Sequence, residues 1–74
     1  MKTLDLHFIK FRRIELGMTL QETASKLGMK NASTYLKYES GAYAFKADVL
    51  PKLAIILNCE ITDFFNQKVA ETAI

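Results

Sequence analysis

A single cysteine occurs among the 74 residues, so the chain cannot form an internal disulfide. Cys59 and the lone histidine, His7, also provide too few ligands for the usual tetrahedral zinc site. Nothing else in the sequence indicates a metal, a cofactor or a small-molecule ligand. We therefore expect a protein that folds without a disulfide, a metal ion or a prosthetic group.

Long hydrophobic runs are also missing. The longest, residues 53–57, has five consecutive apolar residues, whereas a membrane-spanning helix needs about 20. The first residues include an acid, Asp5, and lack the apolar stretch of a signal peptide. The sequence therefore predicts a soluble, cytoplasmic protein with no membrane association.

Glycine and proline are scarce, with three residues and one residue, and half of the sequence is apolar. This composition is typical of a globular domain rather than of a disordered or fibrous chain. A chain of this size can hold one hydrophobic core and no more. We predict a single domain over residues 1–74, with its core in about 5–66 and a tail at 67–74.

Positive charge is concentrated in the first part of the chain. Residues 1–46 hold eight basic and four acidic side chains, whereas residues 47–74 hold two basic and four acidic ones. The net charge of +2 is too small to identify a partner. The asymmetry is compatible with one positive face, although most such asymmetries are only solvated surface.

Apolar spacing and capping residues predict five short helices, of which the first two are well delimited. The first covers residues 6–16 and ends at Gly17. The second begins with a capping box, in which Thr19 and Glu22 satisfy each other's backbone N–H groups, and it ends at Gly28.

The remaining three helices follow the same signals. Asn31 is a suitable N-cap for a third helix, which ends at residues 40–41. A fourth helix carries Pro51 in its first turn, where a missing N–H costs little, and ends at Asn58. Residues 60–65 are expected to form a short fifth helix, so the sequence predicts a compact all-α domain.

The second and third helices, joined by a tight turn at Gly28, form a helix-turn-helix pattern. From residue 9 to residue 65 the sequence resembles the DNA-binding domain of the phage repressor/Cro (XRE-type) family. The resemblance implies a compact five-helix, lambda-repressor-like fold. The segments that carry it are Arg13 with Gly17, residues 19–28, residues 33–41, residues 53–58 and residues 61–65.

The sequence departs from the family pattern at three places. Leu20 stands where the family usually has Gln, and Thr23 stands where it usually has Leu. The segment 29–32 is one residue longer than the common turn. This extra residue leaves open which of residues 30–32 begins the recognition helix.

The resemblance implies that the third helix, at about residues 31–40, enters the major groove of double-stranded DNA. Lys37 can then donate to guanine and Ala32 can pack on a thymine methyl, with Leu36 at the margin. Phosphate contacts are expected from the start of helix 2 and from the loop after helix 3. The alternative is a merely solvated polar face. The base-contacting candidates are Lys30, Asn31, Ala32, Ser33 and Lys37, and the phosphate-contacting candidates are Thr19, Tyr43 and Lys46.

Arg13 lies on the apolar stripe of the first helix, four residues after Ile9 and three before Leu16. A charge on such a stripe requires a partner, because burying it unpaired is expensive. The resemblance pairs this arginine with Glu39, so we expect a structural ion pair between helices 1 and 3. The neighbouring Arg12 lies off the stripe, where it can be solvated or contact DNA.

Two pairs of aromatic residues have more than one interpretation. Tyr35 and Tyr38 are compatible with stacking on single-stranded bases, but the resemblance favours rings buried in the core. Phe8 and Phe11 lie off the apolar stripe, so either the 67–74 tail, which we favour, or another chain is expected to cover them.

We expect a small transcriptional regulator of repressor type that occupies an operator and has no enzymatic activity. A weak homodimer reading a pseudo-palindromic operator would double the few base contacts of one domain. Its contact is expected around residues 58–65 with part of the tail, because the adjacent Phe64 and Phe65 cannot both enter one core from a regular helix. The alternative is a protein-interaction module of the same fold, antirepressor or antitoxin-like, without specific DNA binding.

Overall fold

The computed structural model of the chain describes residues 4–65. Within this range the chain forms four α-helices and a closing 3-10 helix, with no β-strand. The prediction of an all-α fold is confirmed, and no helix in this part of the chain is long and apolar enough to cross a membrane. The elements are α1 (Leu6–Glu15), α2 (Leu20–Lys26), α3 (Ala32–Glu39), α4 (Leu50–Ile56) and the 3-10 helix (Ile61–Phe65).

The predicted count of five α-helices is not confirmed, because the last element is a 3-10 helix. It has five residues, and a segment this short gains little from the bonding pattern of an α-helix. The Asp63 N–H donates to the Glu60 carbonyl, and the Asp63 carboxylate accepts from the Glu60 N–H, both at 3.0 Å. The turn therefore closes with i→i+3 contacts.

Side chains cap the first three helices. The Asp5 carboxylate accepts from the Phe8 N–H at 3.1 Å at the start of α1. Thr19 and Glu22 form the predicted capping box of α2, with reciprocal bonds of 3.0 and 2.8 Å. Asn31 is the N-cap of α3, as predicted. These interactions fix three helix starts through residues that are close in sequence.

Residues with positive φ separate the helices where the sequence predicts the breaks. Gly28 has a φ of 82° in the turn between α2 and α3, and Asn58 has a φ of 54° after α4. The first turn is closed by the Met29 N–H, which donates to the Ala24 carbonyl at 2.8 Å. A residue with a Cβ is strained at the Gly28 backbone conformation, so glycine suits this position.

The core lies where α1, α4 and the 3-10 helix meet. The Phe8 ring centroid lies 6.2 Å from that of Phe64, and the Phe64 carbonyl accepts from the Asp5 N–H at 2.7 Å. Phe65, next in sequence, is only partly buried. The chain's last described residues are therefore fastened to the beginning of α1. The buried cluster consists of Ile9, Leu53, Ala54, Leu57 and Phe64.

The two phenylalanines of α1 have different environments. Phe8 is partly buried against the core cluster, whereas Phe11 is 63% exposed. The 67–74 tail, which was expected to cover them, lies outside the described residues. Within residues 4–65, the outer face of α1 is therefore apolar at Phe11 and at Ile14.

Arg12 connects α1 to the end of α4. Its Nε donates to the Leu57 carbonyl at 2.8 Å, and one terminal nitrogen donates to the Asn58 carbonyl at 3.0 Å. The other terminal nitrogen forms an ion pair with Glu15 at 3.0 Å. Cationic donors are favourable at a helix C-terminus, where the last carbonyls lack intrahelical partners. The structure thus gives this guanidinium structural partners, and it remains partly exposed.

Candidate nucleic-acid interface

The α2–α3 pair forms a close helix-turn-helix unit. Ala24 of α2 is fully buried, and its small side chain allows the two helices to approach each other. Thr23, which stands where the family usually has an apolar residue, is also fully buried. Its hydroxyl donates to the Thr19 carbonyl at 3.0 Å, so the buried polar atom is satisfied inside α2.

A buried ion pair attaches α3 to α1. The Arg13 Nε donates to one Glu39 carboxylate oxygen at 2.8 Å, and its terminal nitrogen donates to the other at 3.1 Å. The second terminal nitrogen donates to the Met18 carbonyl at 2.9 Å. Arg13 and Glu39 are only 8% and 5% exposed, and the hydrogen bond from Glu39 raises the pKa of the guanidinium. The structure thus brings together the two residues that the family resemblance pairs.

The first residue of the recognition helix is Ala32. Asn31 precedes it as the N-cap, and its side-chain oxygen accepts from the Thr34 N–H at 3.0 Å. The same oxygen accepts from the hydroxyls of Ser33 and Thr34 at 2.9 and 2.8 Å. Of residues 30–32, it is therefore Ala32 that begins the helix. Lys30 lies before the helix and is exposed.

The inner and outer faces of α3 are clearly different. Tyr35 and Glu39 are buried on the inner face, and Ala32 is partly buried. The outer face consists of exposed residues with helical spacing. They are Ser33, Leu36, Lys37 and, at the C-cap, Ser40. Leu36 therefore belongs to the outer face rather than to its margin, whereas Ala32 is less accessible than expected.

Tyr43 holds the loop after α3 against the end of that helix. Its N–H donates to the Lys37 carbonyl at 3.0 Å, and its ring packs edge-on against Tyr38 with centroids 5.4 Å apart. The Lys37 ammonium lies 5.4 Å from the centroid of the Tyr43 ring, within cation–π range. Tyr43 is still 46% exposed. The structure therefore places these two candidate residues side by side.

Tyr35 and Tyr38 are packing residues rather than an open stacking platform. Tyr35 is fully buried and Tyr38 is partly buried, and Phe45 lies 6.3 and 5.4 Å from their ring centroids. Burial, with the neighbouring Glu39 carboxylate, raises the pKa of the Tyr35 phenol. Among the described residues, none forms a hydrogen bond with the Tyr35 hydroxyl. These rings pack on the inner side of α3, away from its exposed residues.

The start of α2 carries a carboxylate as well as backbone N–H groups. The Thr19 N–H donates to Glu22, and the Thr19 hydroxyl accepts from the Glu22 N–H. The bond that the carboxylate accepts from the Thr19 N–H lowers the pKa of Glu22, and the Thr19 side chain lowers it further. A phosphate at this end of α2 would therefore meet the N–H groups of Leu20 and Gln21. Gln21 is exposed and was not a predicted site residue; its position in the first turn after the capping box is the signal that indicates it.

The remaining predicted residue, Lys46, is exposed in the loop between α3 and α4. The candidates thus come from three neighbouring parts of the chain: the start of α2, the turn and outer face of α3, and the loop that follows. Within the described residues, no group of histidine, cysteine and acidic side chains is arranged to hold a metal ion. The candidate residues provide hydrogen-bond donors, and the outer face of α3 adds one exposed apolar side chain, Leu36.

Comparison with known families gives one match. The helix-turn-helix family matches residues 9–64. This range includes α1 from Ile9 onward, the whole of α2, α3 and α4, and the 3-10 helix up to Phe64. A comparison with curated proteins finds no match. Domains of this family bind DNA and are not enzymes. Because the match covers most of the chain and the α2–α3 unit has the geometry described above, the chain belongs to the helix-turn-helix family of the Cro/C1 (XRE) type.

Proposed function

We propose that this protein is a small transcriptional regulator of repressor type that binds a specific double-stranded DNA operator through α3. The observation that carries the proposal is the outer face of α3, where hydroxyl and ammonium donors project from a helix held by the Arg13–Glu39 pair. A rigid support matters because base contacts tolerate little displacement. Occupying the operator would then block access to it.

Base contacts are assigned to the start and outer face of α3. Lys37 donates to guanine O6 or N7, and the Tyr43 ring beneath its ammonium limits the directions it can take. Ser33 and Lys30 are exposed at the entrance of the helix and supply further donors. Asn31 keeps its side-chain nitrogen for DNA, since its oxygen is used in capping α3. Ala32 contributes at most its partly buried methyl group.

Phosphate contacts are assigned to both sides of α3. Lys46 and the Tyr43 hydroxyl lie in the loop after the helix, and the first-turn N–H groups beside Thr19 lie at the start of α2. Such contacts set the orientation of the domain on the duplex and make binding dependent on salt.

We further propose that two copies bind a pseudo-palindromic operator as a weak homodimer. One domain of this size makes few base contacts, and a good bidentate contact discriminates by only about 1–3 kcal/mol. The contact is assigned to residues 58–65, where Ile61 is 38% exposed and Phe65 is partly buried. Small interfaces of this kind are marginal, so pairing is expected to accompany DNA binding.

Selection of bound duplexes from a random pool tests the proposed function. We expect one enriched sequence, bound more weakly as salt increases but still preferred over unrelated DNA. Lys37→Ala should relax the preference at one position of the site. Lys52→Ala removes an ammonium that is also exposed, from α4, and serves as the matched control. A uniform loss with a smaller salt slope would assign Lys37 to phosphate instead.

A protein-interaction module is the second candidate function. The observation in its favour is the Glu22 carboxylate, which lies at the start of α2, where the first function places a phosphate. On this alternative the random pool yields no enriched sequence, and the Lys37→Ala and Lys52→Ala variants bind DNA as weakly as the wild type does.

A further inference from the structure

Leu36 is an aliphatic side chain exposed in the middle of an otherwise polar helix face. It is 44% exposed, and its neighbours on the outer face of α3 are Ser33, Lys37 and Ser40. The core does not require it, because Tyr35 and Glu39 occupy the inner face of the same helix. Water around an exposed aliphatic group is unfavourable, and an apolar partner would remove this cost.

We propose that Leu36 binds the C5-methyl group of a thymine in the major groove, an inference that rests on the function proposed above. The C5-methyl is the one apolar group that base edges present in this groove. A leucine one residue before Lys37 lies about 100° around the helix from it, so the two side chains address adjacent positions on the DNA.

The surroundings of Leu36 favour thymine over 5-methylcytosine, the other pyrimidine with this methyl group. Thymine presents the O4 acceptor beside its methyl, whereas cytosine presents an amino donor there. The ammonium of Lys37, which is assigned to the neighbouring guanine, is a donor and cannot accept from a cytosine amino group. The carboxylate of α3, Glu39, is buried and paired with Arg13, so it does not accept from a cytosine amino group. The outer face of α3 therefore has no anionic acceptor for a cytosine amino group, which favours a methyl next to an acceptor.

Uracil substitution tests this inference, because it removes the C5-methyl and nothing else. In the duplex enriched by the wild-type protein, each thymine is replaced in turn by uracil, and Kd is measured by fluorescence anisotropy. We expect a loss of about fourfold at one position in each half-site, the equivalent of one buried methyl group. Leu36→Ala should bind the thymine and uracil duplexes equally well at that position.

Two controls make the result specific. Ile55→Ala removes an aliphatic side chain that is 79% exposed on α4, and it should keep the full uracil penalty. Replacing the thymine pair by a 5-methylcytosine–guanine pair should not support wild-type affinity. Circular dichroism and the melting temperature of Leu36→Ala should match the wild type, because the side chain is exposed.

The outcomes distinguish a failure of the role proposed for Leu36 from a failure of the proposed function. An enriched duplex whose affinity does not change with uracil, or changes equally for wild type and Leu36→Ala, overturns the role of Leu36 alone. Equal affinity for 5-methylcytosine overturns the assignment to thymine. A protein that enriches no sequence refutes the proposed function, and the role of Leu36 with it.

Discussion

Replacing Arg13 by alanine should destabilise the fold severely. The change leaves the Glu39 carboxylate, 5% exposed, without its two guanidinium donors, and it leaves the Met18 carbonyl without its partner. Removing one member of a buried ion pair costs about 3–5 kcal/mol, mainly because the other charge stays buried. At about 0.05–0.15 kcal/mol per residue, a domain of 74 residues has a total stability of about 4–11 kcal/mol.

Thermal unfolding followed by circular dichroism measures this loss. At about 4–8 °C per kcal/mol for small domains, the melting temperature of Arg13→Ala should fall by about 12 °C or more. Arg12→Ala is the matched control, because its guanidinium is partly exposed and bonds two carbonyls of the α4 end. It should cost only about 1–3 kcal/mol.

A double variant distinguishes the buried charge from lost packing. Replacing Arg13 by methionine and Glu39 by leucine removes both charges and keeps apolar volume, so it should be more stable than Arg13→Ala. A melting temperature of Arg13→Ala within a few degrees of wild type would refute the reasoning. It would show that Glu39 finds water or another donor when the arginine is absent.

Three further predictions concern other groups. The pKa of the Tyr35 phenol is raised from its ordinary value of 10.0. The contribution of the buried, protonated phenol to stability is therefore complete below pH 10.0. Above it the unfolded chain ionises first, so between about pH 9 and pH 11 stability should fall by about 1.4 kcal/mol more in the wild type than in Tyr35→Phe, as urea midpoints can show. Glu22→Gln keeps the capping box but removes a carboxylate from the start of α2, which is proposed to face DNA, so it should tighten operator binding about two- to fivefold at low salt in gel-shift titrations. Unchanged or weaker binding would contradict that placement. Burial, with Asp63 nearby, raises the pKa of the Cys59 thiol, so at pH 8 it should react with a disulfide reagent more slowly in the folded protein than in urea; equal rates would contradict this.

Much of the fold could be predicted because its signals are local. The capping box at Thr19, the N-cap at Asn31 and the break at Gly28 depend on residues within one turn of each other. Such signals can be read from the sequence without knowledge of the rest of the chain. The recognition-helix region follows from them, since it begins directly after one cap and one glycine turn.

Other features depend on residues far apart in the sequence. The role of Arg12 requires the end of α4, 45 residues away, to lie beside α1. The sequence alone offered only solvent or DNA as its partner. The last element was predicted as an α-helix because five residues do not distinguish that pattern from a 3-10 helix.

The candidate site depends partly on local sequence signals and partly on residues that are far apart in the sequence. The sequence could name the candidate residues of α3 as a group, but their faces depend on a register that the extra turn residue obscured. Once Ala32 is fixed as the first helical residue, Leu36 faces outward and Ala32 is partly buried. The side-by-side placement of Lys37 and Tyr43 depends on the path of the following loop, which spacing does not specify.

An amide NMR titration with the enriched duplex tests whether the outer face of α3 is the DNA-binding surface. If the outer face of α3 binds DNA, the largest shifts should occur at residues 30–37, at residues 43–46 and in the first turn of α2. Amides of the outer face of α4, around Lys52 and Ile55, should change little. Shifts concentrated on α4, or no saturable shifts at low salt, would contradict the account.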